Sequence, residues 1–69
     1  MYVGLHGEYA WELVDGELRI SSVDARVGEL LSLPAPTAFN NAEQAQWFAQ
    51  GRIDMNLDAL ERALREHSA

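Results

Sequence analysis

The stretch Tyr9-Ala10-Trp11-Glu12-Leu13-Val14-Asp15-Gly16-Glu17-Leu18-Arg19-Ile20-Ser21 decides the fold class. On both sides of Asp15-Gly16, large apolar side chains alternate with small or polar ones, the pattern of two half-buried strands. Asp-Gly between such runs favours a two-residue type I′ turn, because both residues tolerate positive φ. That turn sets Val14 opposite Glu17, Leu13 opposite Leu18, Glu12 opposite Arg19 and Trp11 opposite Ile20. The register is consistent with burial: Trp11, Leu13, Leu18 and Ile20 share one face. Glu12 and Arg19 meet on the other as a cross-strand ion pair.

Toward the N-terminus, Met1 to Leu5 reads as a further strand joined through a His6-Gly7 turn. A two-residue turn there sets Tyr2 opposite Trp11 and Gly4 opposite Tyr9, with Gly4 leaving room beside the tyrosine. Toward the C-terminus, residues 23–33 read as a helix. Ser22 can cap it, Asp24 sits in its first turn, and Val23, Val27, Leu30 and Leu31 fall at helical spacing. Pro34 ends it, and residues 33–37 form a stiff connector. A second helix is predicted over 41–50, with Asn40 and Glu43 at capping-box spacing and Gly51 as its C′ residue. A third is predicted over 57–67, capped by Asn56, with Leu57, Leu60 and Leu64 as its apolar stripe. Asp58 with Arg62, and Glu61 with Arg65, are i,i+4 pairs on its solvated side. Residues 52–55 read as either a loop or a short strand.

The expected fold is therefore α+β: an N-terminal antiparallel β-hairpin or three-stranded meander packed against two or three short helices. Residues 1–69 form one domain, with strands in 1–22 and helices in 23–69. The expected core is Trp11, Leu13, Leu18, Ile20, Val27, Leu30, Leu31, Phe48, Leu57, Leu60 and Leu64.

Charge and size exclude several function classes. Eleven acidic residues face five basic ones, a net charge of −6, and every basic residue is arginine. Five scattered arginines make no basic patch, so neither nucleic acid nor an anionic membrane surface is an expected partner. The first ten residues lack the basic and apolar regions of a signal peptide, and no apolar run approaches a membrane span. The expected location is the cytoplasm of a bacterium or a phage-infected bacterium; the alanine, leucine, glutamate and arginine bias fits a GC-rich genome. A chain of this size buries only roughly 60% of its unfolded surface, so its core is thin and self-association is one way to complete it. Without cysteine there is neither a disulfide nor a cysteine-based zinc site.

The side chains present assemble no catalytic set. His6 and His67 lie at opposite ends, Ser21 and Ser22 lie outside any nucleophile elbow, and Gly4 and Gly7 make no phosphate loop. His6 and Glu8 are too few to hold a metal. No catalytic, cofactor-binding or metal residue is expected, and no cofactor. The Asp-Ser-Leu serine of acyl carrier proteins is absent. Ala49-Gln50-Gly51-Arg52-Ile53-Asp54 followed by Leu57-Asp58-Ala59-Leu60-Glu61 resembles the helical hairpins of SHOCT-type short domains in shape. The resemblance implies an αα-hairpin and no activity or binding residue.

What remains is a protein partner. Around the second helix, Ala42, Ala45, Phe48 and Ala49 form one stripe, and Trp47 lies nearly opposite, beside Glu43, Gln44 and Gln50. Either Trp47 packs inward with Phe48, or the alanines pack closely on the sheet and Trp47 is an exposed interface anchor. The interface candidates are Trp47, Glu43, Gln44, Tyr9, Tyr2 and Glu12. The expected function is a small acidic non-catalytic binding module, an inhibitor or adaptor of a larger protein. The alternatives are the antitoxin of a toxin–antitoxin pair and a self-assembling structural subunit.

Overall fold

A computed structural model describes residues 1–68, the side chain of Ser68 excepted; Ala69, the last residue of the expected domain, lies outside the described residues. The chain is α+β. Four strands, β1 (Tyr2–His6), β2 (Tyr9–Val14), β3 (Glu17–Ser22) and β4 (Glu29–Pro34), precede two helices, α1 (Ala42–Met55) and α2 (Leu57–Ser68). The strands form an antiparallel meander in the order β1-β2-β3-β4.

The central hairpin has the predicted register, pair for pair from Val14–Glu17 to Trp11–Ile20. Asp15 and Gly16 both take positive φ, 51° and 78°, as a type I′ turn requires. The β1–β2 hairpin is a correction. Its turn is Gly7-Glu8, not His6-Gly7, and His6 is the last residue of β1, paired with Tyr9. Gly7 takes φ 63°, the position where a two-residue turn with one left-handed residue wants glycine. The pairing therefore slips by two residues from the expected one, so every side chain keeps its face. Tyr2 pairs with Leu13, and Gly4 pairs with Trp11 rather than with Tyr9.

Residues 23–33 are the larger correction, since they form a turn and β4 instead of a helix. The groups that could cap a helix close a tight turn. Ser22 Oγ accepts the Asp24 N–H at 3.1 Å, and Asp24 Oδ1 accepts the Arg26 N–H at 3.0 Å. Gly28 then reverses the chain at φ 78°, outside helical geometry. In β4, Leu31 and Leu33 pair with Ile20 and Leu18. Leu30 is the extra residue of a β-bulge, because Ser21 pairs with Glu29 while Ile20 pairs with Leu31. The bulge lets Leu30 and Leu31 both pack against the core, which is why their spacing mimicked a helical stripe.

The helical layer covers the sheet face that carries Trp11, Leu13, Leu18 and Ile20. Asn41, one residue beyond the expected cap, caps α1 by accepting the Gln44 N–H at 2.9 Å. Gly51 does not end this helix, which runs through residues 52–55 and buries Ile53 completely. The true junction is Asn56, whose N–H bonds the Ile53 carbonyl and whose own carbonyl accepts the Leu60 N–H. The buried core is Tyr9, Trp11, Leu13, Leu18, Ile20, Ala45, Ala49, Ile53 and Leu60. Leu30, Leu31, Phe48 and Leu64 flank it, whereas Leu57 is exposed and Val27 lies outside it. Each fully buried Leu or Ile stabilises the fold by about 1.5–3 kcal/mol, so Ile53 matters as much as any strand residue.

Candidate functional site

The outer ridge of α1 gathers the features expected of a binding surface. Ala45, Ala49 and Ile53 turn one side of the helix into the core and leave the opposite side to solvent. On that side Glu43, Trp47, Gly51 and Met55 follow one another at intervals of four, so they form one row along the helix. Trp47 is 61% exposed and Met55 74% exposed. Between them Gly51 has, beyond its chain neighbours and the backbone of its own helix, no atom within 4 Å of where a Cβ would stand. The row is thus two protruding apolar side chains with a bare patch of backbone between them.

Its flank is ordered by aromatic and cationic contacts. Phe48 is half-buried against Phe39, with ring centroids 5.7 Å apart, and Phe39 meets Tyr2 edge-on at 5.9 Å. The Arg52 guanidinium lies 5.2 Å from the Phe48 ring centroid, and its Nη1 is 3.9 Å from Met55 Sδ. Of the two readings of α1, the alanines packing on the sheet with Trp47 outward is the one found. Ala42, at the N-terminal end of the stripe, is exposed.

The other candidates separate. Glu43 and Gln44 are exposed in the first turn of α1, with Glu43 in line with Trp47. Tyr2 is half-buried in the aromatic contact just described. Tyr9 is a correction: it is only 7% exposed, because it is in phase with Trp11 and Leu13 and therefore points under the helices. Burial, and after it the Glu61 and Glu8 carboxylates, pushes the Tyr9 phenol up from its ordinary pKa. Glu12 lies on the opposite, uncovered face of the sheet. There its carboxylate stands 3.8 Å from Arg19, which also bonds Glu17 at 3.4 Å. Glu17 in turn accepts the Ser32 hydroxyl at 2.5 Å, and that bond, followed by Arg19, holds its carboxyl below the ordinary glutamate value.

Met55 and Gly51 were not among the expected site residues. The signal that could have found them is the interval 47-51-55, visible only once the helix is allowed to run through Gly51. His6 and Asp54 also meet, at 2.9 Å, and the pair fastens the end of β1 to the last turn of α1. Among the described residues, no three His, Asp or Glu side chains converge as metal ligands. No described helix is long and apolar enough to cross a membrane. Comparison with protein-family models, with curated proteins and with solved structures finds no match to this chain.

Proposed function

We propose that this protein is a small non-catalytic binding module, an inhibitor or adaptor that docks on a larger protein through the outer ridge of α1. The observation that carries the reading is the exposed row Trp47–Gly51–Met55. Tryptophan and methionine are enriched at interfaces, and a tryptophan that fills a partner pocket is a common energetic anchor. Methionine adapts its shape to an apolar surface. The glycine supports the same reading. In a helix interior it is about 1 kcal/mol less favourable than alanine, and nothing in the fold crowds that position. Stability forgone at an open surface position fits a surface that another molecule approaches closely.

The partner's chemistry follows from charge. Glu43 precedes Trp47 by one turn, Asp54 follows near the helix end, and the chain carries −6 overall. The complementary surface is an apolar pocket for an indole, rimmed by arginine or lysine. Such a complex weakens as salt rises. The test is parallel affinity capture from bacterial lysate with wild-type protein and with Trp47→Ala, which leaves the buried side of α1 untouched. The reading expects a stoichiometric protein held by wild type and lost by the variant. Equal capture by both would refute it.

A further inference from the structure

The sheet has two edges, and only one of them carries residues that blunt strand pairing. The β4 edge carries Glu29, the Leu30 bulge and Pro34, devices that blunt strand pairing. The β1 edge reads Tyr2-Val3-Gly4-Leu5-His6 and has no proline, no bulge, and no Asp, Glu, Lys or Arg. In a chain of net charge −6, this is the strand that a second copy can approach without bringing like charges face to face.

The backbone parity of β1 follows from its hairpin. His6–Tyr9 closes a two-residue turn, so that pair exchanges hydrogen bonds, and the pairs alternate from there. The N–H and C=O groups of Tyr2, Gly4 and His6 therefore face β2. Those of Val3 and Leu5 face outward. The Val3 and Leu5 side chains stand on the uncovered face of the sheet, 64% and 66% exposed.

We propose that β1 pairs antiparallel with β1 of a second copy about a two-fold axis at Gly4. In that register Val3 lies opposite Leu5 of the second copy, Leu5 opposite its Val3, and Gly4 opposite its Gly4. The two Val3–Leu5 pairs are those whose backbone groups point outward, so the ladder closes with two reciprocal pairs of hydrogen bonds. Slipping the register by one residue breaks this parity. Slipping it by two, which moves the axis to Val3 or Leu5, leaves Leu5 or Val3 respectively without a strand partner. The Gly4 register also joins two valines and two leucines into one apolar patch on the outer face. A short, uncharged, self-complementary strand favours a copy of itself over a foreign basic strand, for which β1 offers no carboxylate.

A five-residue ladder buries less than the standard interface of roughly 1,200–2,000 Å², so the dimer is weak and depends on concentration. Two −6 chains repel beyond the contact, so salt strengthens the pairing. That dependence is opposite to the one expected for docking through Trp47, and the two ideas stand or fall separately.

The experiment is static light scattering of the full chain across concentration at low and high salt, with Val3→Lys/Leu5→Lys as the edge-blocked variant. Both positions are largely exposed, and circular dichroism checks that the variant folds. Because the chain has no cysteine, Val3→Cys and Leu5→Cys proteins can also be mixed and oxidised to read the register. The expected result is a mass rising from 7.7 kDa toward twice that value, more readily at high salt and not in the lysine variant. Mixed Val3→Cys/Leu5→Cys disulfides should exceed the statistical share. A mass that stays monomeric overturns the proposal, including the case in which the monomer instead takes up an extended peptide. A dimer that survives the lysine substitutions, or cross-links in statistical proportion, also overturns it.

Discussion

Gly4→Ala isolates the closest packing of the fold. A Cβ at Gly4 would stand 2.5 Å from Trp11 Cζ2, 2.8 Å from Cε2 and 3.1 Å from Nε1. Real Cβ atoms do not approach a ring so closely, and Trp11 is a core side chain with little room to withdraw. Overpacking of this kind costs about 1–3 kcal/mol. Replacing glycine in a strand returns about 0.5–1 kcal/mol through the unfolded chain. The net destabilisation is therefore roughly 0–2.5 kcal/mol, centred near 1, and a domain of this size loses about 4–8 °C in Tm for each kcal/mol. Trp11→Phe supplies the control, since phenylalanine lacks the fused outer ring of the indole and with it Cζ2, the atom nearest the added Cβ. It also removes the Trp11 Nε1 donor, which is buried without a partner. The double variant should be more stable than the sum of the singles, with a coupling of about 1 kcal/mol or more. Urea unfolding of the four proteins measures it. A cycle with no coupling would refute the packing of β1 on the Trp11 ring.

Three further outcomes follow from local structure. Asn41→Ala should lower stability by about 1 kcal/mol through loss of the α1 cap, while Asn40→Ala should change it little, which thermal melts of the pair can decide. Gly51→Ala should raise stability by about 0.5–1 kcal/mol and yet weaken capture of the partner; a gain in stability with undiminished capture would remove the glycine from the binding row. The third concerns pH. The Arg26 guanidinium, and after it the Arg26 N–H, holds the Asp24 carboxyl below its ordinary value. A depressed carboxyl contributes stability at pH above its unfolded value and loses it as pH falls through the folded one. Asp24→Asn keeps the acceptor of the turn but not the charge, so melts taken from neutral to acid pH should fall less steeply for the variant.

The hairpin was legible because two independent constraints agreed. Asp15-Gly16 defined a turn, and that turn placed four apolar side chains on one face. Residues 23–33 read as a helix because the same chemistry serves two structures: the Ser22 hydroxyl and Asp24 carboxylate serve the start of a helix or close a turn equally well. The β-bulge at Leu30 then imitated helical periodicity. Gly28 was the discordant sign, since a helix would have to tolerate it whereas a left-handed turn requires it. Gly51 misled in the opposite sense. It resembled a helix stop, and the turn beyond it is held by burial of Ile53, which depends on the sheet and is invisible to local sequence. A helix ending at Gly51 excludes Met55 and with it half of the exposed row. Tyr9 was readable all along, since it lies two and four residues from Trp11 and Leu13 and so belongs to their face.

The proposed docking requires Trp47 to be held outward and to enter a partner. With Trp11 replaced by Phe, Trp47 is the only indole of the chain, and its emission and quenching can be read with and without the captured protein. Red-shifted emission, freely quenched by acrylamide, is expected in the unbound protein, and a blue shift with protection from quenching in the complex. Emission of a buried indole in the free protein, or emission unchanged by the partner, would contradict it.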